Sequence, residues 1–303
     1  MNDKEVDQHD LENEIADLER RLRDARDRLK RHSTSQGQEK PTPTLRNDPL
    51  YPSIHPLLLL SDSALPLGSF AYSSGLESYI AHHKPLPPSV TPVASFHRFL
   101  KLSIASVAST TLPYVLTAYR NPEQLEILDN DLDASTPCTV ARRASVAQGR
   151  ALLSVWERAF RETYALSTHS VAGDAARSAV RALESFSEAL KSSAGGADQL
   201  GPNGHLAPLW GVVCLAMGID IRQTAYVFML NHAKAVLSAA VRASVMGPYQ
   251  AQSVLASAGL QDIIVERIER EWETAPEDAG QVVPVLDLWV GRHELLYSRI
   301  FNS

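Results

Sequence analysis

The segment from residue 223 to 246 constrains the fold of this chain more than any other. Its side chains are apolar nearly all round a helix, and Gly247-Pro248, a pair that ends helices, follows it. A helix of this kind belongs at the centre of a bundle. One polar stripe remains, at steps of three, four and four residues, and it must face water, a partner or buried acids. The stripe consists of Asn231, Lys234, Ser238 and Arg242.

The remaining segments have the same helical periodicity, and none shows the two-residue alternation of a half-buried strand. Thr91-Pro92 has the residue types of an N-cap followed by Pro in the first turn, which predicts a helix to about Ser109. A Gly-rich loop is expected at residues 192–204. The fold class is therefore predicted to be all-α, a single helical bundle domain. Further helices are predicted over residues 142–166, 175–191, 206–217, 249–257 and 261–273.

Residues 1–31 form a charged segment with a heptad pattern. One apolar position of the heptad is occupied by Leu11, Leu18 and Ala25, and the other by Ile15, Leu22 and Leu29. About three heptads is near the lower limit for a coiled coil, so the pattern fits a solvated helix or one that pairs with itself or a partner. Residues 32–49 are polar with two prolines, which is typical of a flexible linker. The compact domain is expected to span residues 50–303, with residues 1–31 as a coiled-coil-like extension.

Composition excludes several classes of protein. Lys plus Arg is 29 and Asp plus Glu is 35, and the net charge of −6 argues against a nucleic-acid binder. Two distant cysteines, Cys138 and Cys214, cannot form a disulfide framework. The first 31 residues lack the apolar core of a secretory signal, and the most apolar stretch, 206–219, is shorter than the ~20 residues that span a bilayer. We therefore expect a soluble, cytoplasmic protein that binds neither membrane nor nucleic acid.

Catalytic and metal-binding motifs are missing from the sequence. It contains no phosphate loop, no dinucleotide-binding Gly-x-Gly-x-x-Gly, no nucleophile elbow, no His-Glu-x-x-His and no Cys-x-x-Cys. The adjacent His82 and His83 point about 100° apart on a helix and would not close on one metal ion. His232 is expected to be a satisfied core histidine. No catalytic residue and no metal ligand is therefore assigned.

Residues 61–77 place a Pro-Gly break between two short helices. Ser74-Gly75-Leu76-Glu77 also has the Ser-x-x-Glu pattern of a capping box. In that interpretation Glu77 begins a helix and bonds to its backbone, a role worth about 1 kcal/mol.

Four separated stretches, in order, resemble the signatures of UreF-type urease accessory proteins, over about residues 50–303. Gly68-Ser69 stands where the family often has two glycines, and residues 1–49 lie outside the family core. The four stretches are Asp62 to Glu77; His205 to Gly211 with Met217 to Asp220; Ser238 to Arg242 with Gly247-Pro248 and Gln252; and Asp287 with Arg292 to Phe301.

The resemblance implies an all-α, homodimeric protein that is not an enzyme. UreF-type proteins bridge the accessory protein UreD, also called UreH, and the GTPase UreG, for GTP-dependent nickel insertion into apo-urease. No cofactor of its own is implied, since nickel and GTP are handled by the complex. The missing phosphate loop is consistent with a nucleotide that belongs to the partner.

The resemblance also suggests two sets of partner-binding residues. The GTPase side is expected to include Tyr72, Glu77, Lys234, Ser238 and Arg242. The UreD/UreH side is expected to include Arg292, His293, Glu294, Tyr297, Ser298, Arg299 and Phe301.

The C-terminal tail, residues 284–303, follows a turn-rich break at residues 275–280 and is rich in large apolar groups. We expect it to dock onto the UreD/UreH-type partner and to be loosely held without it; the alternative is a last helix packed on its own core. Two other functions stay open. One is a helical enzyme that uses the region of Glu77, His205 or His293, and the other is a coiled-coil assembly protein without a urease role.

Overall fold

The structure is a computed structural model that describes residues 20–22, 24, 51–165, 173–193 and 201–302, with only the backbone at residues 51–53. The chain divides into two compact units, Met1–Tyr51 and Pro52–Ser303. In the first unit, residues 20–22 and 24 are helical. The rest of the predicted heptad helix and the whole linker at 32–49 lie outside the described residues.

The described part of the second unit is helical and contains no strand, which confirms the all-α prediction. The helices are α1 (Tyr51–Ser61), α2 (Leu76–His82), α3 (Pro92–Thr110), α4 (Leu112–Arg120), α5 (Leu125–Ser135), α6 (Thr139–Val155), α7 (Arg161–Ala165), α8 (Asp174–Ser193), α9 (Leu206–Ala216), α10 (Ile221–Arg242), α11 (Pro248–Leu255), α12 (Ala258–Arg270) and α13 (Pro284–Arg292). Short 3-10 turns lie at Ser69–Ala71, Pro122–Gln124, Pro276–Asp278 and His293–Leu295.

Several predicted boundaries have clear local causes. Thr91 is the predicted N-cap of α3, and its Oγ1 accepts a hydrogen bond from the backbone N–H of Ala94 at 3.1 Å. Helix α10 begins two residues earlier than expected because the Asp220 carboxylate caps it. It ends at Arg242, four residues before the predicted end, because Ser244 adopts a left-handed conformation with φ 57°. The helix predicted over residues 142–166 is interrupted by a π-helical turn, Trp156–Phe160, between α6 and α7.

The core is built around α9, which is buried along nearly its whole length. It packs against α4, α6 and α8, while α10 packs against α3 and α12. The contact between α9 and α4 is close enough that a Cβ atom placed on Gly211 would lie 2.3 Å from the carbonyl oxygen of Val115. A glycine is therefore required where these two backbones cross.

Among the described residues, the stretch Pro92–Arg120 is long and apolar enough to cross a membrane by length and composition alone. Of its most apolar window, 72% is buried inside the bundle. The stretch consists of the two core helices α3 and α4. Its apolar character is explained by packing within the protein.

Candidate functional site

The polar stripe of α10 binds the end of α1 and the 3-10 turn in the loop that follows it. Three of its four side chains donate to backbone carbonyl oxygens, two of them in the last residues of α1 and the third in the turn Ser69–Ala71. The fourth, Ser238, is exposed. The three bonds run from Asn231 Nδ2 to Leu60 O at 2.9 Å, from Lys234 Nζ to Ser61 O, and from Arg242 Nη2 to Phe70 O.

The Pro-Gly loop, residues 62–75, has the break that the sequence predicts. Gly68 and Gly75 both have positive φ, at 70° and 84°. Ser69 takes the place of the family's second glycine without strain: it begins the 3-10 turn, and its hydroxyl bonds to Gln148 Oε1 at 2.8 Å. A Cβ atom on Gly75 would lie 3.0 Å from a methyl group of Val290, so the loop packs tightly against α13.

Glu77 reaches across the fold instead of capping its own helix. The N-cap of α2 is Gly75, and the Glu77 N–H in its first turn donates to Ser73 Oγ at 3.3 Å, so the capping box of Ser74 and Glu77 is not formed and that alternative is wrong. The Glu77 carboxylate lies 2.8 Å from His293 Nε2, and it accepts backbone N–H groups from Ile300 at 2.7 Å and Phe301 at 3.2 Å. The carboxylate thereby ties the start of the bundle to the end of the chain.

Arg242 makes the second link between these regions. Its guanidinium lies 4.4 Å from the centre of the Phe301 ring, and burial lowers the pKa of the side chain. Beside it, the backbone N–H of Asn302 donates to Ala71 O at 2.8 Å. The two residue sets that the family resemblance suggests for different partners therefore meet: Glu77 contacts His293, and Arg242 contacts Phe301.

The first half of the C-terminal tail is a packed helix. In α13, Leu286, Trp289 and Val290 are buried, and the Trp289 ring lies 4.7 Å from that of Tyr79 and 5.9 Å from that of Phe99. Phe301 is only 4% exposed. The prediction of a loosely held tail is wrong, because these apolar groups are part of the core; the alternative of a last helix packed on its own bundle describes the structure.

Other side chains of the tail face outward. Leu295 is 80% exposed, Ile300 is 64% exposed and Tyr297 is fully exposed. Glu294 is exposed and pairs with Arg143 at 2.8 Å. Of the predicted UreD/UreH-side residues, His293 and Phe301 are buried, while the others are exposed: Arg292, Glu294, Tyr297, Ser298 and Arg299.

A cavity of about 470 Å³ lies beneath the Pro-Gly loop and α13. Its wall includes Tyr72 and Lys234, and burial lowers the pKa of Lys234 while Asp62 opposes the effect. His232 also lines it; burial lowers its pKa to about 4, and its Nε2 lies 2.8 Å from Ser103 Oγ. His232 is thus neutral near pH 7. Its bond to Ser103 agrees with the prediction of a satisfied histidine, but the residue is half-buried on the cavity wall and does not lie in the core.

The His205 motif proves to be a helix-start network. Asp129, fully buried, accepts backbone N–H groups from Asn203, Gly204 and His205 at 2.5 to 3.1 Å, just ahead of α9. The sequence reasoning missed Asp129, which has no local pattern to mark it. A buried carboxylate that satisfies three N–H groups fixes where the central helix begins.

Asp129→Asn should destabilise the domain by about 1–3 kcal/mol, since the amide NH₂ group would face backbone donors. Urea unfolding followed by circular dichroism measures this. Asp131→Asn is the matched control because Asp131 accepts from the Tyr114 hydroxyl, outside this network. Equal stability of the two variants would show that the Asp129 contacts do not hold the start of α9.

His205 also bears on the enzyme alternative. Its Nδ1 lies 3.0 Å from Ser145 Oγ and its Nε2 lies 3.1 Å from Asp133. These are the residue types of a hydrolytic triad, but the ring nitrogens have exchanged partners, since in a triad Nε2 faces the serine and Nδ1 faces the carboxylate. Ser145 Oγ also accepts the backbone N–H of Leu206 at 3.3 Å, and His205 is fully buried. Each contact therefore has a role in starting α9. Within 51–165, 173–193 and 201–302 there is no group of three His, Cys, Asp or Glu residues that could hold a metal ion.

Comparison with known proteins gives a consistent result. The family model described as UreF matches residues 90–259. An "Uncharacterized urease accessory protein UreF-like" of Schizosaccharomyces pombe is 38% identical over 249 residues, which cover 82% of this chain and 97% of the relative. The chain is also similar to "Urease accessory protein F" of Oryza sativa subsp. indica, 30% identical with 80% and 82% coverage, and to "Urease accessory protein 6" of Cryptococcus neoformans, 26% identical with 84% and 99% coverage.

Proposed function

Because this chain belongs to the UreF family of urease accessory proteins, we propose that it is a non-catalytic scaffold for urease maturation. It bridges a UreD/UreH-type protein and a UreG-type GTPase, and the complex inserts nickel into apo-urease with GTP hydrolysis by the GTPase. One structural observation supports this role above the others: the residues expected on the two partner sides form one connected site.

Two kinds of residue share the work in this proposal. The exposed ones, Ser238 on the GTPase side and Tyr297 with Arg299 on the UreD/UreH side, contact the partners. The half-buried ones, among them Glu77 and Lys234, hold the tail and the end of α1 ahead of the Pro-Gly loop in place. In this view, a change in a half-buried residue alters recruitment by moving the exposed ones.

Other parts of the proposal rest on the family. We expect a cytoplasmic homodimer with no cofactor of its own and no binding to nucleic acid or membrane; nickel is cargo and GTP is the partner's substrate. The 1–49 extension is not expected to be needed for dimerisation, since its linker composition marks it as an appendage.

The test is reconstitution of urease activation with the purified cognate UreD/UreH-type protein, GTPase and apo-urease. Adding the chain should raise urease activity in a GTP-dependent manner, and Tyr297→Ala should reduce that gain. Because Tyr297 is fully exposed, the melting temperature of the Tyr297→Ala variant should stay within about 2 °C of that of the wild type.

Tyr249→Ala is the matched control, since Tyr249 on α11 is another exposed tyrosine of the bundle. It should leave both activation and melting temperature unchanged. No activation by the wild-type chain would contradict the scaffold and favour a coiled-coil assembly protein without a urease role. If Tyr297→Ala lowers activation only in proportion to a fall in its melting temperature, a contact role for Tyr297 is excluded.

A further inference from the structure

We propose that Asn203 is a site of spontaneous deamidation, and that the buried carboxylate of Asp129 suppresses this reaction in the folded chain. The inference goes beyond the proposed scaffold function and does not depend on it. It assigns a covalent modification, the conversion of one side-chain amide to a carboxylate, to the turn that starts the central helix α9.

The sequence supplies the reactive pair. Asn203-Gly204 is the single Asn-Gly pair in the chain. Asparagine reacts most readily before glycine, because glycine has no Cβ to hinder the approach of its nitrogen to the asparagine side chain. The fold requires this glycine, since Gly204 has φ 87° and a Cβ there would lie 3.0 Å from Arg150 Cγ. The turn before α9 therefore contains a reactive asparagine by construction.

The reaction needs water as its only co-reactant. The backbone nitrogen of Gly204 attacks Cγ of Asn203, a new C–N bond closes a succinimide ring, and the side-chain nitrogen leaves as ammonia with the amide proton. One water molecule then opens the ring and leaves either aspartate or isoaspartate at position 203. No electrons are transferred, so no oxidant or reductant is required. Asn203 is half-buried, which leaves it open to solvent.

The contacts of Asp129 oppose the first step. The Gly204 N–H donates to both carboxylate oxygens, at 3.1 and 3.0 Å, and the N–H groups of Asn203 and His205 donate to the same carboxylate at 2.5 and 2.6 Å. Asp129 is fully buried. Loss of the Gly204 proton would place a second negative charge against this carboxylate in a site that water does not screen. Attack is therefore confined to conformations in which the start of α9 has opened.

The modified chain cannot rebuild the same turn. Either product places a new carboxylate beside that of Asp129, and like charges repel each other. Isoaspartate also adds one carbon to the backbone, which moves the three N–H groups out of register with Asp129. Because α9 is buried along nearly its whole length, the modification loosens the core irreversibly.

The experiment follows position 203 of the full chain by mass spectrometry of digested aliquots during a long incubation at mildly alkaline pH. A synthetic peptide of residues 198–208 gives the rate in the absence of the fold. The folded chain should convert Asn203 at least about tenfold more slowly than the peptide does. Asn203→Gln is the assay control and should show no conversion at this position, because glutamine would have to form a larger ring.

Asp129→Asn tests the carboxylate itself and should raise the rate of conversion toward that of the peptide. Since this change also lowers stability, it is compared with Ile264→Ala, at temperatures where equal fractions of both variants are unfolded. Ile264 is a buried residue of α12, which packs on α3 and α10, so this variant keeps the Asp129 contacts. Asp129→Asn should still convert at least about tenfold faster than Ile264→Ala.

A measurement on the wild type decides the matter if Asp129→Asn does not fold. Hydrogen exchange at the Gly204 amide and conversion of Asn203 require the same opening. Both rates should therefore rise in parallel as urea is increased below the midpoint of unfolding.

Four results would overturn the inference, and none of them bears on the scaffold function. A peptide that does not convert would show that Asn203 is not reactive. Equal rates in the peptide and the folded wild type would show that the fold offers no protection. Equal rates in Asp129→Asn and Ile264→Ala would assign the protection to overall stability. Conversion that does not follow Gly204 exchange in urea would show that the reaction does not need the start of α9 to open.

Discussion

Deleting residues 284–303 should unfold the domain. The deletion removes four buried apolar side chains, Leu286, Trp289, Val290 and Phe301. At ~1.5–3 kcal/mol for each buried group, the loss is roughly 6–12 kcal/mol, comparable with the ~5–15 kcal/mol by which domains are stable. Circular dichroism should show no cooperative melting transition, or one lowered by tens of degrees.

The matched control is the double change of Leu295→Ala and Tyr297→Ala. It removes two large apolar side chains from the same tail, but both are exposed, so stability should change by no more than about 0.5 kcal/mol per site. A truncated chain that melts near the wild-type temperature would show that α13 is not part of the core. It would also support the prediction of a loosely held tail.

Gly211→Ala should produce the second large effect. Its new Cβ would lie 2.3 Å from Val115 O and 3.0 Å from Tyr119 N, and both are backbone atoms of α4 that cannot turn away. The two central helices must separate, so the cost should reach or exceed the upper end of the ~1–3 kcal/mol that is typical of overpacking. Chemical unfolding measures it.

Gly259→Ala provides the comparison. Gly259 also lies in a helix, α12, but no heavy atom would lie within 4 Å of its Cβ. There, alanine should be neutral or stabilising by up to ~1 kcal/mol because it is the better helix former. A Gly211→Ala variant as stable as Gly259→Ala would mean that α9 and α4 do not cross as closely as described.

The parts of the fold predicted from sequence are those with local causes. Helical periodicity gives the all-α class, and Thr91 gives the start of α3, since each depends on residues within a few positions. The stripe on α10 was also visible in the sequence. Its partners were not, because the carbonyl groups that it binds belong to Leu60, Ser61 and Phe70, more than 160 residues away, and any residue offers a carbonyl.

The site was harder to predict for the same reason. Ser74 and Glu77 have the spacing of a capping box, and only the fold reveals that the carboxylate is taken by His293 instead. The tail has the composition of an interface, but composition does not distinguish Trp289, which is buried, from Tyr297, which is exposed. The family resemblance divided the expected residues between two partner surfaces, whereas the structure brings Glu77 together with His293 and Arg242 together with Phe301.

The Glu77 contacts can form only late in translation, because the ribosome synthesises the chain from its N-terminus. Glu77 precedes His293 by 216 residues, so at ~5–20 residues per second a ribosome needs roughly 10–40 s to supply the second half of the contact. During that interval the nascent chain carries the Pro-Gly loop without its cover. The joined surface comes into existence only after residue 301 has been added, so a partner that requires this surface selects polypeptides whose synthesis has passed that point.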